Sequence, residues 1–199
     1  MLDTGMVLLP LLLAADVPPE AAATWARMAE VQRLQADFTQ VRHSKLLTKP
    51  FSSTGTLRFE RPGRLAWSVT EPARSTFVMD GTTVGMWYPD LEVREEIDLS
   101  GTPEAASLVQ GMMVWLGGDL AEVTAQYEMV WSPPTVTLTP RDDAMKAMVD
   151  RMELTLSGDP VMVTGVVIHE PDGDRVEITL SNVQVDPTLP DDAFALPEG

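Results

Sequence analysis

From Gln35 onward the chain alternates. Ala36, Phe38 and Gln40 fall on one side, against Asp37, Thr39 and Val41 on the other. A repeat of two is the signature of a strand. The same pattern returns over residues 50–70, where two strands meet at the corner Arg61-Pro62-Gly63. Leu57 and Phe59 share an apolar face with Arg61, while Thr56, Arg58 and Glu60 share the wet one; beyond the corner Leu65, Trp67 and Val69 fall together. Further strands are predicted over residues 74–80, 84–88, 92–97, 123–131, 135–139, 151–156, 161–169 and 175–185. Asp80-Gly81 and Asp172-Gly173 supply tight turns, and prolines 89, 133 and 134 end strands.

Two stretches break the alternation. Pro18-Pro19 opens a helix predicted to run to about Leu34, with Glu20 in its first turn and Ala21, Trp25 and Met28 along one side. Thr102-Pro103-Glu104 is a helix start with an N-cap, a proline and an acid in the first turn. That second helix carries Leu108, Val109, Met112, Met113 and Leu116 before Gly117-Gly118 stop it. No spacing fits a βαβ unit, so the sheet should be antiparallel. The expected fold is mainly β: an incomplete, unclosed antiparallel β-barrel of about ten strands, with two covering helices, one a lid. A two-sheet sandwich with peripheral helices is the alternative.

Composition narrows the function. A chain of 199 residues with 44% hydrophobic positions can bury one core. Its net charge of −16 argues against nucleic acid and against lasting adhesion to anionic membranes. There is no cysteine, which excludes disulfides, thiolate metal sites, a cysteine nucleophile and lipid attachment through cysteine. Residues 6–15 (MVLLPLLLAA) have the length of a signal-peptide core and are too short to span a bilayer, although no basic residue precedes them. The expected organisation is a signal peptide over 1–15 and a single domain over 16–199, the other reading of the first segment being an apolar tail.

Candidate chemistry is sparse. His43 and His169 stand in polar settings, and Asp172-Gly173-Asp174 reads as a solvated turn because the ligand series of a calcium loop is missing. No nucleophile, phosphate-loop or zinc motif is present. No catalytic residue, metal or cofactor is expected. The positive signal is apolar. Met79, Met86, Met112 and Met113 are among twelve methionines, which suit a surface that repacks around varied apolar ligands or simply fill a loosely packed core.

Several segments together resemble one family. Phe38-Thr39-Gln40, Gly55, and Phe59-Glu60-Arg61-Pro62-Gly63-Arg64-Leu65-Ala66-Trp67 are similar to the periplasmic outer-membrane lipoprotein carriers of LolA type. Phe77-Val78-Met79-Asp80-Gly81, Trp87-Tyr88-Pro89 and Leu189-Pro190-Asp191-Asp192-Ala193-Phe194 continue the likeness. The resemblance implies an unclosed β-barrel with a helical lid. It also implies a soluble, exported, monomeric periplasmic carrier that takes lipoprotein acyl chains from an inner-membrane ABC transporter to an outer-membrane acceptor. It gives Arg61 the role of locking the lid through backbone carbonyls. The expected acyl-binding set is Met28, Phe38, Leu57, Phe59, Leu65, Trp67, Phe77, Met79, Met86, Met112, Met113 and Leu116. The stretch 43–49 resembles divergent carrier-like proteins, which admits a glycolipid or another acyl product as cargo. A protein-interaction module using the same concave face is the non-transporting alternative.

Overall fold

The computed structural model describes residues 17–101, 116 and 119–197. The segment 1–15, and the predicted helix from Thr102 with Met112 and Met113, lie outside the described residues. Among the described residues eleven strands form one sheet: β1 (Arg33–His43), β2 (Phe51–Glu60), β3 (Arg64–Glu71), β4 (Ser75–Asp80), β5 (Thr83–Tyr88), β6 (Val93–Asp98), β7 (Tyr127–Ser132), β8 (Thr135–Pro140), β9 (Arg151–Leu156), β10 (Val163–His169) and β11 (Arg175–Val185). Their order is β6-β5-β4-β3-β2-β1-β11-β10-β9-β8-β7, and neighbours pair antiparallel throughout. The sheet is therefore two meanders, β1–β6 and β7–β11, joined where β1 meets β11. No ladder joins β6 to β7 among the described residues, so the sheet is unclosed. One continuous sheet replaces the sandwich alternative.

Among the described residues three α-helices accompany it: α1 (Pro19–Glu30), α2 (Leu120–Gln126) and α3 (Asp143–Lys146). Ala21, Trp25 and Met28 are buried on one side of α1, the spacing that its sequence requires. Trp25 and Met28 join the main core with Phe59, Leu65, Val136 and Leu154 from both meanders. The helix thus covers the inner face of the sheet. It stops at Glu30 rather than near Leu34. The backbone N–H groups of Gln32 and Arg33 donate to Asp186 Oδ1 at 2.9 and 2.8 Å, and Arg33 already pairs with Glu60 in the β ladder. Sheet pairing has overridden helical propensity.

The alternation over 123–131 proves to be part helix. Asp119 caps α2, its carboxylate accepting from the Ala121 N–H at 2.7 Å, and the strand begins only at Tyr127. Val123 and Tyr127 are four apart as well as an even number apart, so their burial satisfies either period. Among the described residues no helix is long and apolar enough to cross a membrane. A second, small core lies on the outer face, where Ala193, Phe194 and Leu196 pack on Ala66 and Val78. It holds the C-terminal segment against the sheet. Leu196 fills the space where Gly85 lacks a Cβ, and the Arg64 guanidinium lies 4.5 Å from the centre of the Phe194 ring.

Candidate functional site

Strand register puts the sequence-selected residues in rows. Ala36, Leu57, Trp67, Phe77 and Met86 are successive partners across β1–β5. Leu34, Phe59, Leu65, Met79 and Val84 form the adjoining row. Paired residues share a face, so both rows line the inner side beneath α1. Met28, Phe38, Leu57, Phe59, Leu65 and Met79 belong to the buried core, and Trp67, Phe77 and Leu116 pack against it. Met86 shares the face by register but is only half-buried and lies outside that core.

Phe38 and Trp67 stack with ring centroids 3.8 Å apart and planes 24° from parallel. Gly55 makes this possible. A Cβ there would lie 1.9 Å from the Ser68 carbonyl oxygen and 2.8 Å from Phe38 Cζ. The glycine is a place of close approach, across which two aromatic residues of the inner face touch.

A narrow cleft at the end of α1, with a free volume of only about 20 Å3, is lined by Met28, Val31, Leu34, Phe59, Leu116, Val161, Met162, Val163 and Leu180. Its walls are apolar side chains from α1, both meanders and Leu116. Only Met28, Phe59 and Leu116 were in the sequence-based set. Leu180 and Val163 lie on strands that the sequence predicts, at positions it does not single out. Their membership in one cleft with Met28 depends on the pairing of β1 with β11, which no local pattern states.

Arg61 guards this end. Its Nε donates to the Val31 carbonyl at 2.9 Å and its Nη2 to the Met28 carbonyl at 3.4 Å. Its backbone N–H donates to Gln32 O at 2.9 Å. These are carbonyls at and just beyond the C-terminus of α1, where a helix leaves acceptors unsatisfied and favours positive charge. The guanidinium also lies 5.5 Å from the centroid of the Phe59 ring. Burial lowers its pKa from the ordinary arginine value, yet a guanidinium stays charged at neutral pH. Among the described residues, carbonyls at the end of α1 thus answer the oddity of an arginine on an apolar face.

Two polar groups inside the apolar region lack acceptors. The indole N–H groups of Trp25 and Trp131 are buried without a hydrogen-bond partner among the described residues, their rings 6.3 Å apart. Buried donors are usually satisfied, so an unpaired pair calls for explanation. Elsewhere the chemistry is surface ion pairing. His43 Nε2 lies 3.2 Å from Glu177, and His169 Nε2 lies 3.1 Å from Glu153. Glu170, Asp172 and Asp174 bring carboxylate oxygens within 4.8 Å of one another, but Arg42 pairs with Glu170 at 2.9 Å and lies 3.8 Å from Asp174. Hydrogen bonds from the Ser44 side chain and the Lys45 N–H, with Arg42 and Lys45 nearby, hold the Asp174 carboxyl below the usual range.

Comparison with known proteins accords with this geometry. The family model described as outer membrane lipoprotein carrier protein LolA matches residues 29–197. An outer-membrane lipoprotein carrier protein of Alkalilimnicola ehrlichii is 34% identical over 144 residues, covering 68% of this chain and 65% of that protein. One of Hahella chejuensis is 24% identical over 178 residues, covering 86% and 82%. Among solved structures, MucB aligns with a TM-score of 0.53 at 16% identity, over 89% of this chain and 63% of that one. A LolA superfamily protein from Nitrosomonas europaea aligns at 0.50 and 11% identity, over 88% and 97%. The two structural likenesses speak for the fold alone. With the family model spanning nearly all of the sheet, the chain belongs to the outer-membrane lipoprotein carrier (LolA) family.

Proposed function

We propose that this chain is a non-enzymatic periplasmic carrier that shields the acyl chains of lipoproteins between an inner-membrane ABC transporter and an outer-membrane acceptor. The observation that carries the reading is the inner face itself: rows of Leu, Met, Phe and Trp covered by a helix, with no convergent polar constellation among the described residues. Each methylene withdrawn from water contributes ~0.8 kcal/mol, so a lipidated protein needs such a surface to cross an aqueous space. Transfer from bilayer to an apolar cleft is nearly neutral, which permits loading and release.

Arg61 tunes the opening by holding helix carbonyls over the cleft, at α1 and at the lid. Met28, Phe59, Leu65, Trp67 and Phe77 form the acyl-contacting wall, with Met112, Met113 and Leu116 on the lid side. Native mass spectrometry of the protein isolated from its host's periplasm should find bound lipidated protein. A glycolipid or free lipid in its place would assign a different cargo to the same cleft, and a consistently empty protein would refute the carrier reading. Arg61→Leu should favour the open form and slow release of cargo to acceptor; unchanged transfer kinetics would remove Arg61 from the mechanism.

A further inference from the structure

The loop between β1 and β2 presents apolar side chains to water. Leu46 is 93% exposed, Leu47 46% and Phe51 49%. Lone exposed hydrophobics are ordinary, but Leu46 and Leu47 in the loop with Phe51 at the start of β2 make a patch. Its charge is also anomalous. In a chain of net charge −16, residues 38–59 hold no Asp or Glu and contain Arg42, Lys45, Lys49 and Arg58. Two of the three lysines of the whole chain flank the leucines. Lys49 makes no ion pair with any described residue.

The loop is held firmly at its base. Asp174, only 6% exposed, accepts from the Lys45 N–H at 2.9 Å. Lys45 Nζ bonds to the Asp172 carbonyl. The Leu47 N–H donates to Ser44 O at 3.1 Å and the Leu46 N–H to Ser44 Oγ at 3.3 Å. Of the acids behind the loop, Glu170 is paired with Arg42 and Glu177 with Arg175, while Asp172 is exposed without an ion pair among the described residues. What projects is apolar and positive. Leu91 (71% exposed), between β5 and β6, and Met148 (47%), between β8 and β9, lie at the same end of the strands.

We propose that the β1–β2 loop is a reversible contact with an anionic phospholipid surface. Leu46, Leu47 and Phe51 enter the boundary of the acyl region, and Lys49 stays among the phosphates. Leucine beside lysine on a convex tip matches the layered polarity of a bilayer interface, where the lysine stem lies in apolar surroundings and its ammonium in water. Charge complementarity favours lipid phosphate, and the acidic remainder of the chain limits the contact to the tip. The inference stands apart from the identity of the cargo: a failed membrane contact leaves acyl binding untouched.

The test uses the full chain, whose lack of cysteine permits single-site labelling. A polarity-sensitive fluorophore on Leu46→Cys should shift to the blue on vesicles of phosphatidylethanolamine and phosphatidylglycerol, and brominated acyl chains should quench it. The same label on Gly158→Cys, at the opposite end of the strands, should not respond. Because the label reports its own surroundings, binding through residues 6–15 leaves it unchanged. Leu46→Asp with Leu47→Asp should weaken vesicle binding about tenfold or more, as loss of two buried leucines implies, with circular dichroism unchanged. No spectral shift, an equal shift at both labels, or a shift only with an added protein would overturn the proposal, the last assigning the loop to a protein surface.

Discussion

On β8–β10 the inward residues Val136, Leu138, Leu154 and Val166 are 0–1% exposed. On β3–β6 the corresponding face opens gradually. Leu65 is sealed, Trp67, Phe77, Met86 and Tyr88 are half-buried, and Ile97 at the edge is 47% exposed. The two meanders share one sheet and differ in what fills them. The first-mentioned half is compact Val and Leu in close packing, with Trp25 of α1 against Trp131. The other half carries large, adaptable side chains on a face that is incompletely covered. The difference is one of packing: small aliphatic side chains sealed in one half, larger ones left half-buried in the other.

That comparison can be broken by mutation. Leu154→Ala, in the sealed half, should cost about 3 kcal/mol in urea unfolding and leave acyl binding by the folded protein unchanged; a specific loss of binding would place the cargo against β9 instead. Gly55→Ala should cost about 2 kcal/mol, because its Cβ would meet the Ser68 carbonyl and the Phe38 ring. It should also disturb the near-ultraviolet signal of the Phe38–Trp67 stack. An unperturbed spectrum would show that the sheet relaxes there without loss. Phe77→Ala, half-buried, should cost only about 1 kcal/mol, less than full burial would imply, yet weaken binding of a fluorescent fatty-acyl probe severalfold. A stability loss equal to that of Leu154→Ala would erase the distinction between the halves.

The smallest effect concerns pH. Asp174 titrates below the usual carboxylate range because its charged form accepts hydrogen bonds from Ser44 and Lys45 near Arg42. A depressed folded-state pKa contributes stability that is complete above the unfolded value of about 4 and disappears as pH falls through the folded value. Hydrogen exchange at the Lys45 amide should therefore accelerate below about pH 4 beyond the intrinsic trend, and Asp174→Asn should remove that step.

Much of the fold was legible locally. The alternation in β2 and β3, the stripe of Ala21, Trp25 and Met28, and the turns at Asp80-Gly81 and Asp172-Gly173 each depend on neighbours within one element. The misread segment shows the boundary of such reading. Over residues 120–131 the Val123–Tyr127 spacing fits both periods, and the Asp119 cap decides between them. The stop of α1 was also invisible locally, since it depends on Asp186, more than 150 residues away.

The candidate site divides the same way. The sequence by itself determined which residues are apolar and which face of each strand they share, because side-chain direction follows from the backbone repeat. It marked Arg61 as a charge in need of a partner. Only the tertiary structure decided that β11 lies beside β1, so that Leu180 and Met162 reach the cleft beside Met28, and that helix carbonyls at Met28 and Val31 receive the guanidinium. Long-range strand pairing and the meeting of a corner with a helix end are set by the packing of the whole chain, and no local period records them.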